Sequence, residues 1–135
     1  MALKTDDFTL HDIDDFPLVR FRGEAAIPGY APVWADELEA LLAHGERFVI
    51  LYGAMRQDEA HEDRKSRGLW LKRRKAELGR YCAGLVSVVA DAQAREAMQP
   101  KLDGAVRAFG VAQVLAADAE EAERLALGLL AESRV

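Results

Sequence analysis

Two short segments of this chain show no alternation between apolar and polar residues: FVILY at Phe48–Tyr52, and LVSVV following Gly84. A strand with one face in water must alternate, because successive side chains point to opposite sides of the sheet. Runs that are apolar at nearly every position and rich in β-branched residues are instead covered on both faces, as strands are inside a parallel sheet. Parallel neighbours need a crossover of a dozen or more residues, usually a helix. These two segments therefore point to an α/β fold.

The intervening sequence supplies the crossovers. From Val33 to Ala43, Trp34, Leu38, Leu41 and Leu42 recur at helical spacing, and Gly45 stands at the C-cap position. After the polar stretch AMRQDEAHED comes a basic helix at Arg64–Arg80. Asp91–Gln99 reads as helical and Pro100 interrupts it, yet Leu102, Ala105, Val106 and Phe109 resume the stripe, so a kinked or two-piece helix is expected. VAQVLAA is a last strand. Asp118 and Glu121 form a capping-box-like start to a closing helix whose apolar face is Ala122, Leu125, Leu129 and Leu130. At the other end, Phe8, Leu10 and then Val19, Phe21 alternate with polar residues, which predicts two strands joined by a short turn within HDIDDFP. Pro28, Gly29 and Pro32 mark a loop. The order is ββαβαβαβα in one domain, residues 1–135: a mixed, mostly parallel sheet with an antiparallel hairpin at its edge.

The longest apolar run, FVILYGAM, is far short of the roughly 20 residues that span a bilayer, and MALKTDDFTL lacks the pattern of a signal peptide. With a lone Cys82, no internal disulfide can form. The expectation is a cytoplasmic protein with no membrane partner.

The rhythm of strands and helices, with FPLVRFRG, RFVILYG, the basic WLKRRKAELGRYCAGLVSVV and a last strand leading to AADAEEAERLALGLL, resembles the STAS-like group, specifically the SpoIIAA-like bacterial proteins, over about residues 7 to 132. The resemblance implies a sheet with helices packed mainly on one side, and a regulatory role in binding a protein partner or a ligand without catalysis. Phosphorylated members of that group open a helix with Asp-Ser-Ser-Gly or Asp-Ser-Thr-Gly. Here RKSRGL aligns Gly68 with that glycine at the start of the basic helix, and the acceptor position is Arg67. Ser66, the nearest hydroxyl, lies one residue early, so no phosphorylation is expected.

The basic stretch, Arg64–Cys82, holds eight of the eighteen Lys and Arg residues and one acid, a net +7 in a chain of net −5, which leaves −12 elsewhere. On a helical wheel Trp70, Leu71, Leu78 and Tyr81 share one face, and Arg67 and Arg74 fall inside it. An unpaired buried charge costs several kcal/mol, so the two arginines must find carboxylates, reach solvent or form an anion or partner surface. Arg67, Trp70, Arg74 and Tyr81 are therefore the candidate ligand or partner surface. A cleft lined by them would favour a carrier or sensor of an apolar or anionic small molecule, and a flat apolar surface would favour a protein partner.

Nucleic acid is opposed by the −12 on the rest of the chain and by the lack of interleaved aromatics on the strands. Asp58, Glu59, His61, Glu62 and Asp63 match no known metal spacing, and crowded acids before a helix favour its positive end. His11 and His44 are expected to be exposed and Cys82 to be a buried, inert thiol. No catalytic motif is present, so neither an enzyme nor a cofactor is expected, and a homodimer remains open.

Overall fold

The computed structural model describes residues 7–53 and 61–132. At its centre is β3 (Phe48–Tyr52), buried at all five positions, with β4 (Cys82–Val88) beside it. The sheet runs in the order β1-β2-β3-β4-β5, with β1 (His11–Asp15), β2 (Leu18–Phe21) and β5 (Gln113–Ala116) completing it. β1 is antiparallel to β2, and every other pair is parallel. The α/β class and the antiparallel edge thus follow the sequence reading. The first hairpin differs in detail. HDIDD is strand and not turn, and the reversal is compressed into the residues before Leu18, where Phe16–Pro17 is cis.

The strand order never reverses. Right-handed crossovers that always advance in one direction place their helices on one face of the sheet. Four helices lie there: α1 (Ala31–His44), α2 (His61–Arg73), α3 (Lys75–Tyr81) and α4 (Ala92–Phe109). The core on this side joins Phe48, Ile50 and Tyr52 of β3 to Trp34, Leu38, Leu41, Trp70 and Leu78. The opposite face, with Val49, Leu51 and Val86, is covered by α5 (Ala119–Glu132) through Ala122 and Ala126.

Local signals explain the helix ends. Gly45 adopts φ 78°, a left-handed conformation that costs glycine little, and its N–H donates to the Leu42 carbonyl. The Asp91 carboxylate accepts from the Ala94 N–H, and Asp118 from Glu121 N–H at 2.8 Å. Glu121 reaches back to the Ala117 N–H at 2.8 Å, one residue earlier than in a standard capping box. Two expectations are corrected. Pro100 lies inside one continuous α4, whereas the basic helix is the one that breaks, at Arg74 with φ −102° and ψ 19°. The register between β3 and β4 also holds an irregularity: Phe48 pairs with Cys82 but Val49 with Gly84, a bulge that turns Ala83 and Gly84 toward α5.

Candidate functional site

Residues at spacing i, i+3, i+4 and i+7 form one stripe on a helix. On α2 the stripe Arg64, Arg67, Gly68 and Leu71 roofs a cleft of about 340 Å³ above the sheet. The floor is Ile50 and Tyr52 of β3, Cys82, Leu85 and Ser87 of β4, and Gln113 of β5. Trp34 of α1 and Ala105 of α4 close the two sides. Gly68 enlarges the space, since a Cβ added there would meet no atom within 4 Å.

The polar groups of the cleft have distinct states. The Arg67 guanidinium stacks over the Trp34 ring, 5.7 Å from its centroid, a cation–π arrangement that Arg makes well because it is planar and weakly hydrated. Burial pushes the Tyr52 hydroxyl up to about 12, even though the nearby Arg67 charge pulls the other way, so Tyr52 is a protonated donor at neutral pH. The Trp34 Nε1–H is near enough to favour ionisation of Tyr52 but makes no hydrogen bond within normal geometry. Burial likewise raises Cys82 to about 12, and its thiol donates weakly to the Gly84 carbonyl at 3.5 Å. Such a thiol is a poor nucleophile and a small apolar surface, as the sequence suggested.

Of the four candidate residues, the cleft takes only Arg67. Trp70 is buried, with its ring edge-on to Trp34 at 5.2 Å and its Nε1–H donating to Glu39 at 3.3 Å. Arg74 turns away to Glu39 at 3.0 Å and Glu77 at 3.5 Å. Tyr81 is half-buried below the Arg80 guanidinium, 5.4 Å from its ring centroid. Trp70 and Arg74, four residues apart, both face Glu39 of α1, whereas Arg64, Arg67, Gly68 and Leu71 face the cleft, so the wheel's single arc divides between two neighbours. Ser66 is exposed within α2, and Gly68 stands in mid-helix and not at the helix start where the alignment put it.

Sequence reasoning missed Trp34, Tyr52 and Ser87 as site residues. Their signal was available: Tyr52 and Ser87 are the polar-tipped residues at the ends of the two apolar strands. It also missed two buried carboxylates. Asp63 accepts from the Gly29 N–H at 2.8 Å and the Ala31 N–H at 3.1 Å, which pins the loop before α1 to α2. Glu37 occupies the apolar stripe of α1 and accepts from backbone N–H groups of Thr9, Leu10 and His11. His11 is fully buried against it, not exposed, and His44 is half-buried, edge-on to Phe16 with its Nε2 3.1 Å from Glu46. Asp58 and Glu59 of the acidic loop lie outside the described residues, and among those described no group of three potential ligands is placed to hold a metal ion. Nor, among them, is any helix long and apolar enough to cross a membrane.

The fold and the cleft together define an α/β protein with a mixed, mostly parallel sheet whose strand order advances in one direction, and an apolar cleft roofed by a basic helix. No family model, no curated protein and no solved structure matches the chain.

Proposed function

We propose that the protein is a small-molecule binding module whose ligand occupies the cleft between α2 and the sheet. One observation carries this reading: beneath the stripe of α2 lies about 340 Å³ of space with apolar walls and a half-buried guanidinium. Ligand pockets run from about 300 to 1,000 Å³ and combine such walls with a few polar groups that orient the ligand. The cleft supports the carrier or sensor alternative over the flat surface that a protein partner would need. No nucleophile–base pair or metal set adjoins the cleft among the described residues, so the proposed role is binding and not catalysis.

A protein partner, as the STAS-like resemblance suggests, is the second reading. Leu69 favours it, being 59% exposed on the outer face of α2 among Lys65, Lys72 and Arg73.

The test uses Gly68→Leu. A leucine at Gly68 points into open space and improves helix propensity by up to about 1 kcal/mol, so the fold should hold or gain stability while the cleft fills. The fluorescent apolar anion 1-anilinonaphthalene-8-sulfonate should bind the native protein and lose at least tenfold in affinity in the variant. Equal binding to both, with the variant folded, would remove the cleft from consideration.

A further inference from the structure

Apolar walls favour any molecule that leaves water to reach them, whereas a buried donor without an acceptor selects molecules that bring one. From Tyr52 and Trp34 we infer that the cleft takes an uncharged, mainly apolar carbonyl compound, a ketone or ester, whose oxygen accepts from the Tyr52 hydroxyl. This deepens the cleft reading and rests on it.

Tyr52 and Trp34 bring two donor hydrogens to the cleft and one acceptor oxygen, because an indole N–H only donates while a phenol does both. Both residues are more than nine-tenths buried, at 8% and 2% exposure. The Trp34 Nε1–H approaches the Tyr52 hydroxyl as a donor without reaching normal hydrogen-bond geometry. Even if that contact closed, it would use the phenol oxygen and leave the phenol hydrogen. The other groups that bear on Tyr52 do not take it, since Arg67 can only donate and the Cys82 thiol is a weak acceptor turned toward the Gly84 carbonyl. One donor is therefore left over. Burial holds the Tyr52 pKa up at about 12, so the hydrogen is present at neutral pH. Ser87 and Gln113, the other neutral polar residues of the floor, are half-buried and within reach of solvent, which makes them weaker selectors.

Charge is excluded by the same surroundings. Arg64 and Arg67 both have interactions of their own, so neither is a free counter-charge for an anion. Among the described residues no carboxylate lines the cleft, so a cationic ligand would meet only like charge. An unpaired charge among such walls costs several kcal/mol. A carbonyl oxygen accepts the hydrogen without that cost. At about 30 Å³ per water-sized group, 340 Å³ accommodates roughly eleven non-hydrogen atoms. The ketone 1-indanone, a rigid apolar bicycle with a single oxygen, is of that size, and indane is the same bicycle without the oxygen.

NMR titration of the 15N-labelled full chain with 1-indanone, indane and indane-1-carboxylate tests the assignment. The chain has two tryptophans, so two indole N–H signals report the contact, and Trp70→Phe tells them apart. 1-Indanone should bind at least as tightly as indane although it leaves water less readily, and only the ketone should move the Trp34 signal downfield. The Trp70 signal, whose N–H already donates to Glu39, should stay in place with both. Tyr52→Phe, which removes only a hydroxyl, should weaken 1-indanone about fivefold and leave indane within about twofold. Tighter binding of indane, equal losses of both in Tyr52→Phe, tighter binding of the carboxylate or no binding of 1-indanone would overturn the assignment. If Gly68→Leu still abolishes 1-anilinonaphthalene-8-sulfonate binding when 1-indanone fails, only the ligand class has failed. If the dye binds both proteins equally, the cleft reading has failed first.

Discussion

Glu37 Oε1 lies 2.9 Å from His11 Nδ1, and both residues are buried, at 4% and 0% exposure. A carboxylate can only accept, so the shared proton sits on Nδ1. The same carboxylate accepts from the backbone N–H groups of Thr9, Leu10 and His11 and from the Thr9 hydroxyl. One side chain of α1 therefore anchors the entry into β1, which among the described residues is an edge strand of the sheet. The arrangement has a pH signature. Burial on its own would raise the Glu37 pKa, but hydrogen bonds from His11, Thr9 and Leu10 outweigh it and hold the group at about 2 instead of 4.5.

A carboxylate depressed in the folded state stabilises fully above its unfolded value and loses that contribution as pH falls through its folded value. Stability should therefore fall between about pH 4.5 and pH 2, by on the order of 2–3 kcal/mol from Glu37. Urea titrations over that range should show a shallower loss in Glu37→Gln, which should itself cost about 1–3 kcal/mol at pH 7. An identical slope in native protein and variant would contradict the pairing.

Asp63→Ala should destabilise by about 1–3 kcal/mol, because it strands the N–H groups of Gly29 and Ala31. Hydrogen exchange should accelerate at those two amides first. Unchanged protection there would show that α2 does not hold the loop.

Gly84 is a site of close approach. A Cβ there would meet Leu129 Cδ1 at 2.7 Å and the Ala112 carbonyl oxygen at 3.2 Å. Gly84→Ala should cost about 1–3 kcal/mol through overpacking. Combining it with Leu129→Ala should cost less than the sum of the two single changes, a coupling that urea melts of the four proteins would measure.

Arg74→Glu should cost about 1–2 kcal/mol, since it places a third acid beside Glu39 and Glu77, while Arg73→Glu on the exposed face should stay within about 0.5 kcal/mol. Adding Glu39→Arg to Arg74→Glu should recover part of the loss. Equal effects of the two arginine reversals would show that the pairing carries no stability.

The sequence by itself determined the layer order, because period and length are local properties. FVILY cannot be a surface strand, Gly45 ends a helix, and Asp118 starts one whatever surrounds them. The resemblance to STAS-like proteins added a regulatory expectation and no site geometry. Tertiary structure decided which residues of the basic helix meet. A wheel shows which residues share a face but not what that face meets: α1 takes Trp70 and Arg74 through Glu39, while Arg67 lies over Trp34 at the cleft. It likewise placed Glu37 and Asp63 inside, where each is stable only because backbone N–H groups distant in sequence converge on it. Such convergence has no period for a sequence to display. The cleft is of the same kind: it is the space left between α2 and the sheet, and Gly68 shapes it only once α2 lies over β3 and β4, whose register sets Tyr52 beside Ser87.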